Sequence, residues 1–337
     1  WWSHDIGGHH LGEKDDELYL RFLQFGVFNP INRMHCTDSP MLTKEPWAYE
    51  NGIGQLAADA LRLRHRMIPF LYSCNHRTAT EGLALCEPLY YQYPECGESY
   101  RYPNEYRFGQ QFLVAPVTGH SRKNGLSETP VWLPEGVWTD FFTGDVYRIG
   151  KGGKEFVAIR PTDSIPVFAE AGAVMVCSGD PGNACGNPHA LEAIVWNGNG
   201  GFRLYEDRED GAECLTVIGT SYDAQTGTQT VTIRTEGDRS VLPPNRRLSL
   251  RFPNIVSHHP ADELLAPQTG NVTVTVERNG QNTAFEADTY AEAAVTLTEY
   301  DPAATYTVRV TVPAVDILTE KKREVIAKLQ KTQATFS

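Results

Sequence analysis

The chain has 337 residues, with 42 acidic against 30 basic side chains and a net charge of −12. That sign argues against nucleic acid, whose binding rests on Lys and Arg neutralising phosphates. A 41% hydrophobic content and no unbroken run of the ~18–20 apolar residues a membrane helix needs argue against a membrane span, and the length predicts two or three domains.

Seven cysteines, at 36, 74, 86, 96, 177, 185 and 214, form no C-x-x-C pair. Neither a zinc ribbon nor a disulfide framework is signalled, so free thiols in a reducing cytoplasm are expected. The opening Trp1-Trp2-Ser3-His4-Asp5 lacks an initiator Met and is unlike a signal peptide. It reads as mid-strand, so targeting information upstream stays out of view.

The first 80 residues are helix-rich. Asp15-Asp16-Glu17 sets negative charge at a helix start, and Leu18, Phe22 and Phe25 follow as one apolar stripe, with Gly26 placed to end the helix. Asn29 to His35 reads as a buried strand. A long amphipathic helix is predicted from about Ile53 to Thr80, kinked at Pro69. Strand, helix, strand, helix is the rhythm of a βα-repeat fold. Past Gly82 short β-rich segments take over: Gln111–Val117, Thr129–Leu133 and Ser164–Phe168. The stretch Ser178 to Pro188 gives up β-formers for Gly, Asn and Pro and marks a domain boundary. Beyond it strands are predicted at Leu191–Trp196, Gly201–Tyr205, Thr228–Arg234, Leu248–Phe252, Val272–Glu277, Ala293–Thr298 and Tyr306–Val312, and a last amphipathic helix at Asp316–Gln333.

Three clusters carry chemistry. In His4-Asp5-Ile6-Gly7-Gly8-His9-His10, paired glycines after a strand let the backbone turn tightly, and Asp5 and His9 would share one mouth, where α/β barrels build their sites. In Arg33-Met34-His35, Arg33 and His35 share a strand face. Lys44-Glu45-Pro46-Trp47 adds a charged aromatic loop. Taken singly, each also fits a purely structural role: a glycine turn, a satisfied polar pair, a packed loop tryptophan. The helical His pairing of zincins and a dense carboxylate set are both missing, so no metal is expected. G-x-G-x-x-G, G-x-x-x-x-G-K and G-x-S-x-G are missing too, and no cofactor is expected.

The joint order of these segments resembles glycoside hydrolase family 31. Asp5-Ile-Gly-Gly, Arg21-Phe-Leu-Gln-Phe-Gly-Val-Phe-Asn-Pro30, Arg33-Met-His35 and Lys44-Glu-Pro-Trp47 look like its last two βα units. Leu63-Arg-His-Arg-Met-Ile-Pro-Phe-Leu-Tyr72 resembles its final barrel helix. Phe108–Val117, Trp132–Trp138 and Phe202–Asp207 are similar to its C-terminal domains. The resemblance implies a retaining, exo-acting α-glucosidase that takes terminal glucose from oligosaccharides, in which a nucleophile and an acid/base aspartate precede Trp1, so that this chain holds no catalytic residue. It implies that Asp5 and His35 hydrogen-bond the sugar and that His9 stands where many members carry Phe. Arg33 would orient Asp5 or His35. Trp47 is left between loop packing and sugar stacking. α-Xylosidase is the alternative specificity, and a carbohydrate-binding β-sandwich protein the alternative class. Expected partners are an oligosaccharide or α-glucoside, with no nucleic acid and no membrane; the full-length enzyme's oligomeric state is left open.

The expected fold is α/β followed by all-β. Residues 1–82 form the end of a (β/α)8 barrel (strands 7 and 8), 83–180 and 181–313 two antiparallel β-sandwiches, and 314–337 a terminal helix and tail.

Overall fold

The computed structural model describes residues 1–9, 13–37, 43–122, 124–180, 182–253, 255, 272–289 and 293–312. They divide into two compact units, Trp1–Glu170 with Pro181–Cys185, and Ala171–Asp180 with the chain from Gly186 onward. The expected terminal helix lies outside the described residues.

In the first unit, α1 (Asp16–Val27) starts where Asp15 accepts a hydrogen bond from the Leu18 N–H, with Asp16 and Glu17 in the first turn. Its core face is Tyr19, Leu20, Leu23 and Val27, all buried. The predicted stripe lies one position away: Leu18 is 54% exposed, and Phe22 and Phe25 are half-buried. Gly26 does not end the helix, which runs on to Val27. A side chain at Gly26 would meet Ile6 Cδ1 at 2.4 Å, so glycine is there to let the preceding segment approach the helix. The segments flanking α1 lie side by side. Ile6 and Met34 form a parallel bridge, and the Ile6 N–H donates to the Arg33 carbonyl at 3.1 Å. That bridge is the whole described pairing, and Ile31 and Arg33 are exposed, so the predicted buried strand at 29–35 is thinner than its sequence suggests.

The long helix is two: α2 (Ile53–Arg66) and α3 (Ile68–Glu81). The break falls at Met67, which puts Pro69 in the first turn of α3, where its missing N–H is tolerated. Gly82 closes α3 at φ +71°, a left-handed cap. Ala57 of α2 packs into a cluster with Ile6, Tyr19, Leu20, Leu23 and Tyr49. Arg64 donates to the carbonyls of Val27 at 2.9 Å and Pro30 at 2.8 Å, binding α2 to the loop after α1; burial lowers its pKa to about 10.

The rest of this unit is β1 (Cys86–Pro88), α4 (Glu98–Arg101), β2 (Tyr106–Phe108), β3 (Phe112–Val114), β4 (Ser127–Leu133), β5 (Gly136–Asp140), β6 (Val146–Ile149), β7 (Lys154–Arg160) and β8 (Val167–Glu170). One sheet has the order β1-β2-β3-β8-β5-β6 and a second pairs β4 with β7. Leu113, Val131, Leu133, Trp138, Ile149, Ala158 and Phe168 come from both sheets and form one core. Buried Arg21 ties α1 to this body, donating to Ser164 O at 2.7 Å, Pro161 O at 3.0 Å and Ser127 Oγ at 2.9 Å.

The second unit contains β9 (Val174–Ser178), β10 (Ala190–Val195), β11 (Gly200–Asp207), β12 (Glu213–Asp223), β13 (Thr228–Gly237), β14 (Arg247–Phe252), β15 (Thr273–Arg278), β16 (Gln281–Asn282), β17 (Glu286–Asp288), β18 (Ala293–Leu297) and β19 (Tyr306–Thr311). They make two sheets, β17-β18-β14-β10-β9 and β11-β12-β13-β19-β15-β16. Two expectations are corrected. β10 and β14 pair parallel, so this sheet is mixed rather than antiparallel. The boundary is not at 178–190: β9 and β10 are antiparallel neighbours, so the Gly/Asn/Pro stretch joins two strands of one sheet, and the units part after Glu170. Turn composition signals a reversal of the chain; it does not separate a hairpin from a domain junction. No disulfide joins any of the seven cysteines, and burial pushes Cys74 and Cys86 up to about 12, as in structural thiols.

Candidate functional site

Residues alternate sides along an extended segment. His4 and Ile6 face α1: the His4 ring stacks on Phe22 and Phe25 with centroids 4.9 and 5.0 Å apart, and Ile6 fills the notch at Gly26. Met34 faces α1 as well, its sulfur 3.5 Å from Tyr19 Oη. Asp5, Arg33 and His35 are therefore turned to the opposite side, and the parallel bridge sets them next to each other. The tight turn brings in His9. Gly7 and Gly8 both hold φ near +85°, which a glycine pair adopts without strain, and the Gly8 N–H closes back on Asp5 O at 2.9 Å. The Thr37 N–H then donates to His9 O at 2.9 Å.

The polar groups converge. Arg33 donates to Asp5 Oδ1 in a close ion pair, and Asp5 Oδ2 lies 3.3 Å from His9 Nδ1. His9 Nδ1 and His35 Nδ1 are 2.8 Å apart, so one ring donates and the other accepts. One donor atom from each of Asp5, His9 and His35 falls within 4.8 Å of the others. The side chains of Asp5 and His9 are 28% and 42% exposed, open to a ligand yet held on one side. His4 is different: burial lowers its pKa against the pull of Asp5, as befits a ring packed among phenylalanines. His10 lies outside the described residues.

Lys44, not singled out from the sequence, anchors the turn. It is buried, and its Nζ donates to Gly7 O at 2.8 Å. Its own carbonyl accepts from Tyr19 Oη at 2.8 Å, and the Tyr19 ring stacks on Tyr49 with centroids 3.8 Å apart. The one hint was its place at the head of the third cluster. Trp47 does not pack: in the short 3-10 turn Pro46–Ala48 its side chain is 85% exposed.

A carboxylate that accepts, two imidazoles that donate or accept, and a guanidinium that fixes the carboxylate make a hydrogen-bonding patch suited to a polyhydroxylated ligand. It stands beside parallel βα segments and a pair of β-sheet bodies. Residues 1–74 match the glycosyl hydrolases family 31 TIM-barrel domain, and residues 82–175 the glycosyl hydrolase family 31 C-terminal domain. The chain belongs to glycoside hydrolase family 31. An α-xylosidase of Saccharolobus solfataricus is 31% identical over 214 residues, 61% of this chain and 28% of that protein. Alpha-glucosidase 2 of Bacillus thermoamyloliquefaciens is 25% identical over 288 residues, 84% of this chain and 34% of that protein. The chain thus spans about a third of the length of these relatives. Among solved structures, a mutant Flavobacterium johnsoniae GH31 dextranase complexed with isomaltotriose superposes with a TM-score of 0.69 at 21% identity, over 91% of this chain and 39% of that one. The cycloalternan-forming enzyme of Listeria monocytogenes, in complex with a pentasaccharide substrate, gives 0.72 at 22% identity, over 90% and 28%. Among the described residues no helix is long and apolar enough to cross a membrane.

Proposed function

We propose that the chain supplies the sugar-binding wall and C-terminal sandwiches of a retaining, exo-acting α-glycosidase of the α-glucosidase type. The observation that carries this reading is the convergence of Asp5, His9 and His35 at the ends of two parallel segments, with Arg33 locking Asp5. Segments 1–6 and 33–37 then correspond to barrel strands 7 and 8, whose C-terminal ends form the mouth of such a fold. Asp5 and His35 receive hydroxyls of the terminal sugar, His9 forms the polar edge of its subsite, and Arg33 holds the Asp5 carboxylate in orientation. The nucleophile and the acid/base are supplied by barrel segments outside these residues. Retaining chemistry needs two carboxyls about 5 Å apart, and among the described residues the cluster has one.

The test is Asp5→Ala in the full-length enzyme. Loss of a charge-assisted hydrogen bond realised at the reacting sugar should cost about 2–4 kcal/mol of transition-state stabilisation. Unaltered kcat/KM on an aryl α-glucoside would remove Asp5 from the site. A second specificity, α-xyloside, is favoured by the 31% identity to an α-xylosidase. Paired assays on aryl α-glucoside and aryl α-xyloside decide between the two.

A further inference from the structure

Residues 90–101 carry four tyrosines and no Leu, Ile, Val, Met or Phe. Tyr93 turns inward and meets the Trp132 ring edge to face, with centroids 5.6 Å apart. The other three are left in water: Tyr90 is 42% exposed, Tyr91 65% and Tyr100 56%. They are gathered, not scattered. The Tyr90 and Tyr100 rings lie with planes 6° apart and centroids at 5.4 Å, and Tyr91 stands edge-on to Tyr90 at 5.4 Å. We propose that Tyr90, Tyr91 and Tyr100 form a carbohydrate-binding surface that takes chains of α-linked glucose.

The rings are held from beneath. The short 3-10 turn Leu89–Tyr91 is rooted by buried Leu89, whose carbonyl accepts from the Tyr93 N–H at 3.0 Å. Buried Ser99 docks α4 on that turn, its Oγ lying 2.9 Å from Tyr93 O and 2.7 Å from Cys96 O. Tyr100 Oη donates to Pro94 O at 3.0 Å. Rings fixed in this way have little freedom left to lose on binding. A sugar has an apolar C–H face and a rim of hydroxyls, and a tyrosine answers both with an apolar body and a polar tip. Hydrogen-bonding groups stand alongside: Gln92 is exposed, and Arg101 pairs with Glu98 at 2.8 Å and with Glu155. Size argues against a protein partner. A stable interface takes about 800 Å² and about 20–30 residues from each side, whereas this patch is three rings on a segment without one aliphatic side chain. The choice of α-linked glucose as the sugar rests on the α-glycosidase reading above; the tyrosine cluster itself shares no residue with the Asp5 site.

The test is calorimetric titration of maltoheptaose and isomaltoheptaose into the full-length enzyme carrying Asp5→Ala, which weakens the Asp5 site. Binding of at least one of the two is expected to persist. Adding Tyr91→Ala or Tyr100→Ala, each checked for an unchanged melting temperature, should weaken it about tenfold, the scale of one lost ring contact. Tyr91→Trp should retain it. With Asp5 in place, Tyr91→Ala should leave kcat/KM on an aryl α-glucoside unchanged and lower it on the bound heptasaccharide. No residual binding, or equal affinity in the Tyr91→Ala/Tyr100→Ala pair, would overturn the proposal. Self-association abolished by Tyr91→Ala, with no glucan bound, would overturn it too and make the patch a contact between copies. The two readings fail separately. Loss of aryl α-glucoside turnover in Asp5→Ala with no effect of the tyrosines leaves the Asp5 site standing alone, and the reverse pattern sinks only the Asp5 assignment.

Discussion

Glu105 is a single buried carboxyl that sets a pH dependence for the first unit. Its Oε1 accepts the Trp132 backbone N–H at 2.7 Å, and Oε2 is buried. Burial raises its pKa to about 8 from 4.5, against the smaller lowering pull of the Trp132 N–H. Between those values the folded chain keeps a proton that the unfolded chain has lost. Stability from this group is therefore complete below about pH 4.5, falls as pH rises, and is gone above about 8, a span on the order of 5 kcal/mol. Glu105→Gln keeps a carbonyl acceptor for Trp132 and cannot ionise, so its melting temperature should stay flat from pH 5 to 9 and exceed that of the parent at the upper end. Parallel curves for the two proteins would mean that Glu105 does not carry the effect. Nothing in the sequence around Asn104-Glu105 announces a buried acid. Asp5, His9 and His35 were legible because they stand beside strand and turn signals; Lys44 and Glu105 act through burial, which a pattern of residue types does not encode.

At the scale of elements, α1 and the segment before it are fitted to each other through Gly26. Alanine is the better helix former by about 1 kcal/mol, yet a Cβ here would lie 2.4 Å from the Cδ1 of fully buried Ile6. Gly26→Ala should destabilise the chain by about 1–3 kcal/mol, the scale of overpacking. Ile6→Val removes the offending carbon, so in that background Gly26→Ala should cost little or even stabilise. Chemical denaturation of the four proteins gives the cycle, and additive effects would refute the fit. Ile6 lies between Asp5 and Gly7, so the clash should disturb the site too. Arg21 makes a second joint: Arg21→Met strands the carbonyls of Pro161 and Ser164 and should lower stability by about 2–4 kcal/mol, read as a shift of the urea midpoint. An unchanged midpoint would mean that α1 is held to the sheets without it. The strands with clean alternation, such as Leu248–Phe252 and Tyr306–Thr311, were legible in the sequence. The 11-residue β12 was not: its inward row is Cys214, Thr216, Ile218 and Thr220, half of it hydroxyl-bearing, and Gly219 interrupts the opposite row. Likewise β9, buried at all five positions, has no alternation to read.

For the whole molecule, the question is what these 337 residues can do unaided. Among the described residues the cluster holds one carboxylate, gripped by Arg33, beside two imidazoles. A retaining glycosidase passes through a covalent intermediate that Asp5 could form only by breaking from the guanidinium, and among the described residues no second carboxyl stands in the cluster to protonate the leaving oxygen. The flank of α1 points to the same conclusion. Trp2, Leu18, Phe22 and Phe25 line a cavity of about 650 Å³ beside Tyr106, an apolar surface suited to cover by another βα layer. At about 25 cal/mol per Å² of apolar area, a large side chain left in water forgoes about 1.5–3 kcal/mol, so this flank should gain stability when the rest of the barrel is joined to it. The purified chain should therefore bind ligands at Asp5 weakly and hydrolyse no aryl α-glucoside above the uncatalysed rate, while the full-length enzyme turns it over. Two measurements check this, release of the chromophore by each protein and the melting temperature of the barrel segment in each. Turnover by the 337-residue chain, abolished by Asp5→Ala and free of host enzyme, would place a complete catalytic apparatus within these residues and defeat the division of labour argued here.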